Sequence, residues 1–245
     1  MKIAFVSYTG KVGKSSLCNT LAYPNLPEST IIRMETINDS GLSGAKKEIV
    51  ITGGDMGRLE LELAKVKDGI VDVGASNIEA FMLALSAQYE SHLALDYFIV
   101  PVKADARAQS EMGESMKTLH ALHLLGIDAD RIKVVFNRLA PGANVEEECK
   151  SLFNFHKAKP IFSITAKACV HETEAFSTLA SIKTPYLTML EDTRNYRAEM
   201  NAIPLEKEKE RTDLVKWIRA QGNVKVLDRE MQSTWAALFS TAAAA

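Results

Sequence analysis

The sequence predicts an α/β protein in which a mostly parallel, twisted sheet is flanked by helices and followed by a helical C-terminal extension. Short apolar runs alternate along the chain with longer stretches whose apolar residues recur at helical spacing, a pattern typical of βαβ units. The apolar runs are continuous rather than alternating with polar residues, as expected for strands that are buried on both faces. After about Ile182 such runs give way to helical patterns with heavily charged faces.

The elements follow from these patterns in chain order. Strands are expected at Ile3–Val6, Ile31–Ile32, Ile49–Ile51, Gly69–Val71, Phe98–Val100, Ile132–Phe136 and Pro160–Phe162. Helices are expected at Ser15–Leu21, Asn77–Tyr89, Ala106–Leu125 and Val145–His156. In the extension we expect two further helices, with Gly222 as the stop between them. The predicted domains are residues 1–182, which form the sheet domain, and residues 183–245, which form a helical extension packed on it.

The composition is that of an ordinary globular protein. Of the 245 residues, 47% are hydrophobic and 24% are charged, and the formal net charge of −2 gives no overall attraction to nucleic acid. The cysteines Cys18, Cys149 and Cys169 are odd in number and widely spaced, which favours a reducing compartment. The chain enters a strand directly after Met1-Lys2, and no apolar run approaches the roughly 20 residues that span a bilayer. We therefore expect a cytoplasmic protein.

A phosphate-binding loop is predicted between the first strand and the first helix. Gly10 and Gly13 leave room for backbone N–H groups to approach an anion. Lys14 is placed to reach the β- and γ-phosphates of a nucleotide, and Ser15 is placed to ligate Mg²⁺, as at the end of the pattern GxxxxGK[ST]. The predicted nucleotide-binding residues of the loop are Thr9, Gly10, Lys11, Val12, Gly13, Lys14, Ser15 and Ser16.

A carboxylate is expected beside this loop. Asp72 ends the apolar run that begins at Gly69. The carboxyl end of a buried parallel strand lies next to the phosphate loop, where a Mg²⁺-bound water needs a carboxylate. Ser15 and Asp72 are therefore the predicted metal-binding pair.

These motifs resemble those of ParA/MinD-type P-loop ATPases over roughly residues 1–165. TGKVGKSS resembles their deviant phosphate loop, usually KGGVGKTT, and IVDVGAS resembles their second acidic strand, of the kind IIDTPPS. FIVPVKAD and VVFNRL resemble the later strands of that family. Tyr8 stands where the usual loop pattern has its first glycine, which fits the deviant class. Within this superfamily, SYTGKVGKSS followed by IIRMETIND is most similar to the StbB plasmid stability proteins of conjugative plasmids.

The resemblance implies an ATP-dependent switch that hydrolyses ATP slowly, uses ATP/ADP and Mg²⁺, and acts in plasmid stability or partition and in conjugative transfer. It implies a possible homodimer, and as partner either a plasmid-encoded DNA-binding protein (StbA-like) or the conjugation machinery. Direct DNA binding stays open although the net charge does not support it, and no stable membrane anchor is expected. Asn137, followed by Arg138, matches the asparagine with which the family reads adenine, although asparagine at a strand end is also a common turn former. The implied catalytic residues are Lys11, Lys14, Glu35, Asp39 and Asp72.

The loop departs from the family pattern at two positions. In the family a signature lysine opens the loop and reaches across a nucleotide-sandwich dimer, and Thr9 stands at the corresponding position here. Lys11 replaces the second glycine, and both a phosphate contact, within the chain or across a dimer, and a solvent-facing side chain remain open for it. Glu35 and Asp39 are both candidates for the acid that orients the attacking water, and neither lies on the family's register without a shift.

Two other functions are retained as alternatives. One is an interaction protein whose degenerate loop binds nucleotide without turnover. The other is a metabolic enzyme similar to dethiobiotin synthetase, although no cluster of basic and acidic residues marks a second substrate. A GTPase is disfavoured because only one helix separates Asp72 from Lys103 in the motif that resembles NKxD. The pair His120 and His123 lacks further ligands at metal-binding spacing, so a packed or solvated helix face is favoured over a metal site.

Overall fold

The computed structural model describes residues 1–35, 45–51, 55–87 and 90–239. These residues contain a seven-stranded sheet in which all neighbouring strands are parallel. Its strands are β1 (Lys2–Phe5), β2 (Thr30–Met34), β3 (Glu48–Ile51), β4 (Gly69–Val73), β5 (Tyr97–Lys103), β6 (Ile132–Leu139) and β7 (Cys169–His171). The order across the sheet is β3-β2-β4-β1-β5-β6-β7. The predicted fold class is confirmed.

Helices connect the strands and cover both faces of the sheet. In the described residues these are α1 (Lys14–Leu17), α2 (Tyr23–Asn25), α3 (Met56–Ala64), α4 (Ile78–Ala87), α5 (Gln109–Leu124), α6 (Val145–Glu148), α7 (Lys150–Ala158), α8 (Ala175–Ser181), α9 (Tyr186–Glu191), α10 (Tyr196–Ala202) and α11 (Glu208–Phe239). A π-helical segment, Cys18–Ala22, joins α1 to α2, and 3₁₀ turns lie at Ala75–Asn77 and Ser91–Ala94. Among these helices, none combines the length and the apolar composition that crossing a bilayer requires.

Two hydrophobic cores lie on opposite faces of the sheet. Along β1, Ala4 belongs to the core beneath α3, α4, α5 and α7, whereas Ile3 and Phe5 belong to the core beneath α8, α9 and α11. Because successive side chains of a strand point to opposite faces, a strand covered on both sides must be apolar at every position. This explains the continuous apolar runs in the sequence.

The chain order places the carboxyl end of β1 at a crossover point of the sheet. From β1 the chain goes to β2 and β3 on one side, and after β4 it crosses to β5, β6 and β7 on the other. In open parallel sheets, ligands bind at the carboxyl ends of the strands where the order reverses. The loop that follows β1 and Asp72, near the carboxyl end of β4, therefore meet at the expected ligand position.

Three details of the predicted elements are wrong. Pro160–Phe162 is not a strand: Ser163 forms a single bridge with Lys133, and the last strand is β7. The residues predicted as one helix from Val145 are divided at Cys149, whose φ of −114° is not helical. Gly222 does not stop a helix, since α11 runs through it for 32 residues.

The C-terminal helix packs against the sheet domain. Val224, Leu227 and Met231 of α11 are buried in the second core, at a spacing that keeps them on one helix face. Gly222 costs about 1 kcal/mol relative to alanine in a helix interior. Full burial of each of these large apolar side chains contributes about 1.5–3 kcal/mol, so packing outweighs the weak helix propensity of Gly222.

Candidate functional site

The loop between β1 and α1 has the backbone shape that its glycines permit. Gly13, which caps α1, has a φ of 94° in the left-handed region that favours glycine. A Cβ atom at this position would lie 2.3 Å from Nδ2 of Asn137. That Asn137 nitrogen donates a hydrogen bond to the backbone oxygen of Val12 at 2.8 Å. Glycine at position 13 therefore allows the end of β6 to hold the loop.

Lys14 is buried at the start of α1, with only 7% of its surface exposed. Its Nζ donates to the backbone oxygens of Ser7, at 3.3 Å, and Thr9, at 3.1 Å. Burial lowers the pKa of Lys14, an effect partly offset by the nearby carboxylate of Asp72. The ammonium group thus lies inside the loop and donates to carbonyl oxygens, which phosphate oxygens could replace as hydrogen-bond acceptors.

Asp72 lies on β4 directly opposite Phe5 of β1, and is 1% exposed. Its Oδ2 accepts a hydrogen bond from Arg33 at 2.7 Å, while Oδ1 is buried without a hydrogen-bond partner among the described residues. Burial raises the pKa of Asp72, and the neighbouring Ser15 hydroxyl, Arg33 and Lys14 oppose this rise. The structure thus brings Lys14, Ser15 and Asp72 together, as the sequence predicts.

The donor set at this point fits Mg²⁺. A hydroxyl from Ser15 and a buried carboxylate oxygen of Asp72 without a partner are hard oxygen ligands of the type that Mg²⁺ prefers, usually together with phosphate oxygens and water. Within the described residues, no group of three or more His, Cys, Asp or Glu side chains is placed to hold a metal ion. A Mg²⁺ ion here would therefore depend on the nucleotide for its remaining ligands.

Arg33 is a site residue that motif reasoning missed. It lies on β2 directly opposite Asp72 of β4 and is 3% exposed. Besides Asp72, its guanidinium donates to Oε1 of Glu48 at 2.6 Å and to Oδ1 of Asn19 at 3.3 Å. The available signal was a charged residue inside the otherwise apolar run IIRM, because a buried charge in a strand requires partners.

The carboxyl end of β6 borders the phosphate loop on the other side of β1 from β4. The Oδ1 of Asn137 accepts from the backbone N–H of Arg138 at 3.0 Å. Arg138 has a φ of 58°, and the pairing of β6 with β7 shifts register between residues 137 and 139. Such bulges redirect side chains and are frequent beside ligand sites. The Asn137 amide thus orders the loop in this structure, and its role in reading adenine stays a prediction.

A cavity of about 600 Å³ extends from the loop along this wall. This volume falls within the usual range of pockets for small molecules and cofactors. Its lining includes Gly13, Ser16, Asn137, Arg138, His171 and Met231. His171 of β7 and Met231 of α11 were not predicted as site residues, and for His171 the reason is that the last strand was misplaced. The Nδ1 of His171 contacts Oε1 of Glu230, so α11 is tied to the rim of this cavity.

A smaller cavity of about 250 Å³ lies on the Arg33 side of α1. Ser15, Arg33 and Glu35 line it, and Phe176 borders both cavities. Glu35 follows β2 directly, and its backbone N–H donates to the oxygen of Ile51 at 3.1 Å. The other predicted switch acid, Asp39, lies outside the described residues.

The two departures from the expected loop pattern have distinct environments. Lys11 is exposed and has a left-handed φ of 60°. The Oγ1 of Thr9 is buried and makes no hydrogen bond to any described residue. Lys11 therefore projects from the tip of the loop, whereas Thr9 is directed inward.

Comparison with known proteins gives a match of fold. No protein-family model and no curated protein matches the sequence. Apo McdA from Cyanothece superposes with a TM-score of 0.51 at 13% identity, covering 92% of this chain and 98% of that one. The MinD cell division protein of Aquifex aeolicus gives a TM-score of 0.51 at 14% identity, over 78% of this chain and 89% of that one. A Borrelia burgdorferi plasmid partition protein bound to AMPPNP covers 70% of this chain and 86% of its own, at 14% identity and a TM-score of 0.45.

At sequence identities of 13% and 14%, the similarity to McdA and MinD shows a shared fold. The chain has the P-loop α/β fold of MinD and McdA, with a seven-stranded parallel sheet flanked by helices and a C-terminal helix.

Proposed function

We propose that the protein is a cytoplasmic, ATP-binding switch of the ParA/MinD type that hydrolyses ATP slowly and acts in plasmid stability and conjugative transfer. The observation that supports this proposal is the convergence of Lys14, Ser15 and Asp72 at the crossover point of the sheet. A cavity large enough for a nucleotide opens beside them.

Each group has a definite role in this proposal. Backbone N–H groups from Gly10 to Ser16 surround the phosphates, and the Lys14 ammonium moves from carbonyl oxygens to the β- and γ-phosphates. Ser15 and Asp72 hold Mg²⁺, which when bound supplies neutralisation of phosphate charge. The protein contributes positioned charges rather than covalent chemistry. Glu35 or Asp39 orients the attacking water.

The larger cavity would hold the base and ribose, with Asn137 and Arg138 on one side and β7 and α11 on the other. The nucleotide state would control self-association and the affinity for a partner. The proposed partner is a plasmid-encoded DNA-binding protein (StbA-like) or a component of the conjugation machinery.

A switch that binds ATP without turnover is the second candidate. It is favoured by Thr9, which stands where the related ATPases carry their signature lysine and whose side chain points inward. In that case the same residues hold the nucleotide, and the functional states are the ATP-bound and the empty protein.

The Lys14→Ala variant tests the site. We expect its affinity for a fluorescent ATP analogue with Mg²⁺ to fall about tenfold or more, because a hydrogen bond to a charged group contributes about 1.5–3 kcal/mol. Any hydrolysis measured by phosphate release should disappear. Lys65→Ala is the control. Lys65 follows α3 and precedes β4, and so lies at the amino end of the strands, away from the phosphate loop.

A Lys14→Ala protein that binds the analogue as tightly as the wild type would contradict the site. A wild-type protein that binds ATP tightly and releases no phosphate would support the switch without turnover.

A further inference from the structure

Arg33 joins three parts of the fold through its hydrogen bonds. Its partners are Asn19 in the π-helical segment, Glu48 on β3 and Asp72 on β4. The shortest contacts, 2.6 Å to Glu48 and 2.7 Å to Asp72, are charge-assisted hydrogen bonds. Both Arg33 and Asp72 are almost fully buried, so water cannot replace either partner.

The two oxygens of Asp72 are in different situations. Oδ2 is bound by Arg33, while Oδ1 has no hydrogen-bond partner among the described residues. The Ser15 hydroxyl and the Lys14 ammonium both lower the pKa of this carboxyl group, so Asp72 lies beside the phosphate loop. A buried oxygen without a partner is costly, and such an oxygen at a ligand site is readily explained by a missing ligand.

We propose that Arg33 is a positioning residue that fixes Asp72 through Oδ2 and thereby presents Oδ1 to the Mg²⁺ of a bound nucleotide. This role rests on the proposed function, since it concerns the same site. Arg33 acts through Asp72, because one of its terminal nitrogens donates to Oδ2 of Asp72 while Nε and the other terminal nitrogen hold the guanidinium on Glu48 and Asn19.

The geometry requires arginine. Its planar guanidinium presents donors in fixed directions, so that one group reaches Glu48 while another holds Asp72. A lysine ammonium is a single point charge on a flexible stem and cannot fix the rotation of the carboxylate in the same way. Charge alone therefore accounts for only part of the effect that we expect from Arg33.

The experiment measures how much Mg²⁺ tightens the binding of a fluorescent ATP analogue, by titration with Mg²⁺ and with EDTA. In the wild type we expect Mg²⁺ to increase the affinity. In Arg33→Met this increase should be mostly lost, while the affinity in EDTA stays close to that of the wild type. Arg33→Lys should recover part of the increase. Urea unfolding of each variant separates these effects from a general loss of structure.

Arg131→Met is the matched control. Arg131 immediately precedes β6, and its guanidinium donates to the backbone oxygens of Asp96 and His92 at 3.1 and 3.0 Å. It is thus a structural arginine at the amino end of the strands, the end opposite to the phosphate loop. The control variant should be less stable than the wild type but should keep the full Mg²⁺-dependent increase.

The outcomes distinguish a failure of the positioning role of Arg33 from a failure of the proposed nucleotide-binding function. If Arg33→Met keeps the full Mg²⁺-dependent increase, Arg33 is a structural ion-pair residue only and its positioning role is overturned. If Arg33→Met does not fold, Arg33→Lys decides, since an undiminished increase in that variant would also overturn the role. A wild-type protein that binds no nucleotide would instead contradict the proposed function itself, and the role of Arg33 with it.

Discussion

Lys11 holds a strained backbone conformation at the tip of the loop between β1 and α1. Its φ of 60° lies in the left-handed region, which costs an L-residue roughly 1–2 kcal/mol. The loops that this sequence resembles carry glycine there, which adopts this conformation without strain. The left-handed conformation is thus occupied here by a residue that pays this strain and that exposes an ammonium group at the tip of the loop.

Two substitutions separate the strain at position 11 from the charge. Lys11→Gly and Lys11→Ala both remove the ammonium, but only glycine relieves the left-handed conformation. We expect Lys11→Gly to be more stable than Lys11→Ala by about 0.5–1 kcal/mol in urea unfolding, after the greater freedom of glycine in the unfolded chain is subtracted. Equal stabilities would show that residue 11 is not left-handed in solution.

A decrease in ATP affinity or in ATP-dependent self-association that both variants share would assign the ammonium to a phosphate contact.

The residues that the structure brings together at the loop were predictable where chemistry fixes a local pattern. Lys14 and Ser15 were candidates because the phosphate-loop pattern places them next to a glycine, and Asp72 because it follows an apolar run expected beside that loop. Arg33 was missed because its hydrogen-bond partners are 14, 15 and 39 residues away in the sequence. No short motif can contain such a set. Only the strand register, which pairs Arg33 with Asp72, makes it visible.

At the scale of elements, the central strands were predictable and the last strand was not. β4 and β5 have five and seven residues and are buried at nearly every position, so their continuous apolar runs favour buried strands. β7 has three residues, of which only Val170 is buried. Its strand conformation depends on pairing with Phe136 and Asn137 of β6. The run at Pro160 is equally apolar, but proline offers no N–H group for a sheet.

Gly222 gives a test of the C-terminal helix. A Cβ atom added at this position would meet nothing within 4 Å. Because alanine is favoured over glycine in a helix interior, Gly222→Ala should stabilise the protein by about 0.5–1 kcal/mol in urea unfolding. Gly126→Ala is the contrasting control, since Gly126 also has free space but has a φ of 82°, so that its substitution should destabilise. Destabilisation by Gly222→Ala would restore the helix stop that the sequence suggested.

At the scale of the whole molecule, the sheet couples the extension to the ligand site. The second core includes Ile3 and Phe5 of β1, the strand that enters the phosphate loop, together with Leu227 and Met231 of α11. Met231 also lines the larger cavity, and Thr234 donates a hydrogen bond to the backbone oxygen of Cys169 at the start of β7. We therefore expect residues 183–239 to unfold with the sheet rather than as a separate unit.

The positions of the two tryptophans allow this expectation to be tested directly. Trp217 and Trp235 both lie in α11, so tryptophan fluorescence reports the extension while far-UV circular dichroism reports all helices. Leu227→Ala perturbs the core under α11, and Leu59→Ala perturbs the core on the other face of the sheet. Each buried leucine should cost about 2–5 kcal/mol. Because both cores share the same strands, each variant should shift the fluorescence and circular dichroism transitions together. If Leu59→Ala moved the circular dichroism transition and left the fluorescence transition in place, the extension would be an independent folding unit.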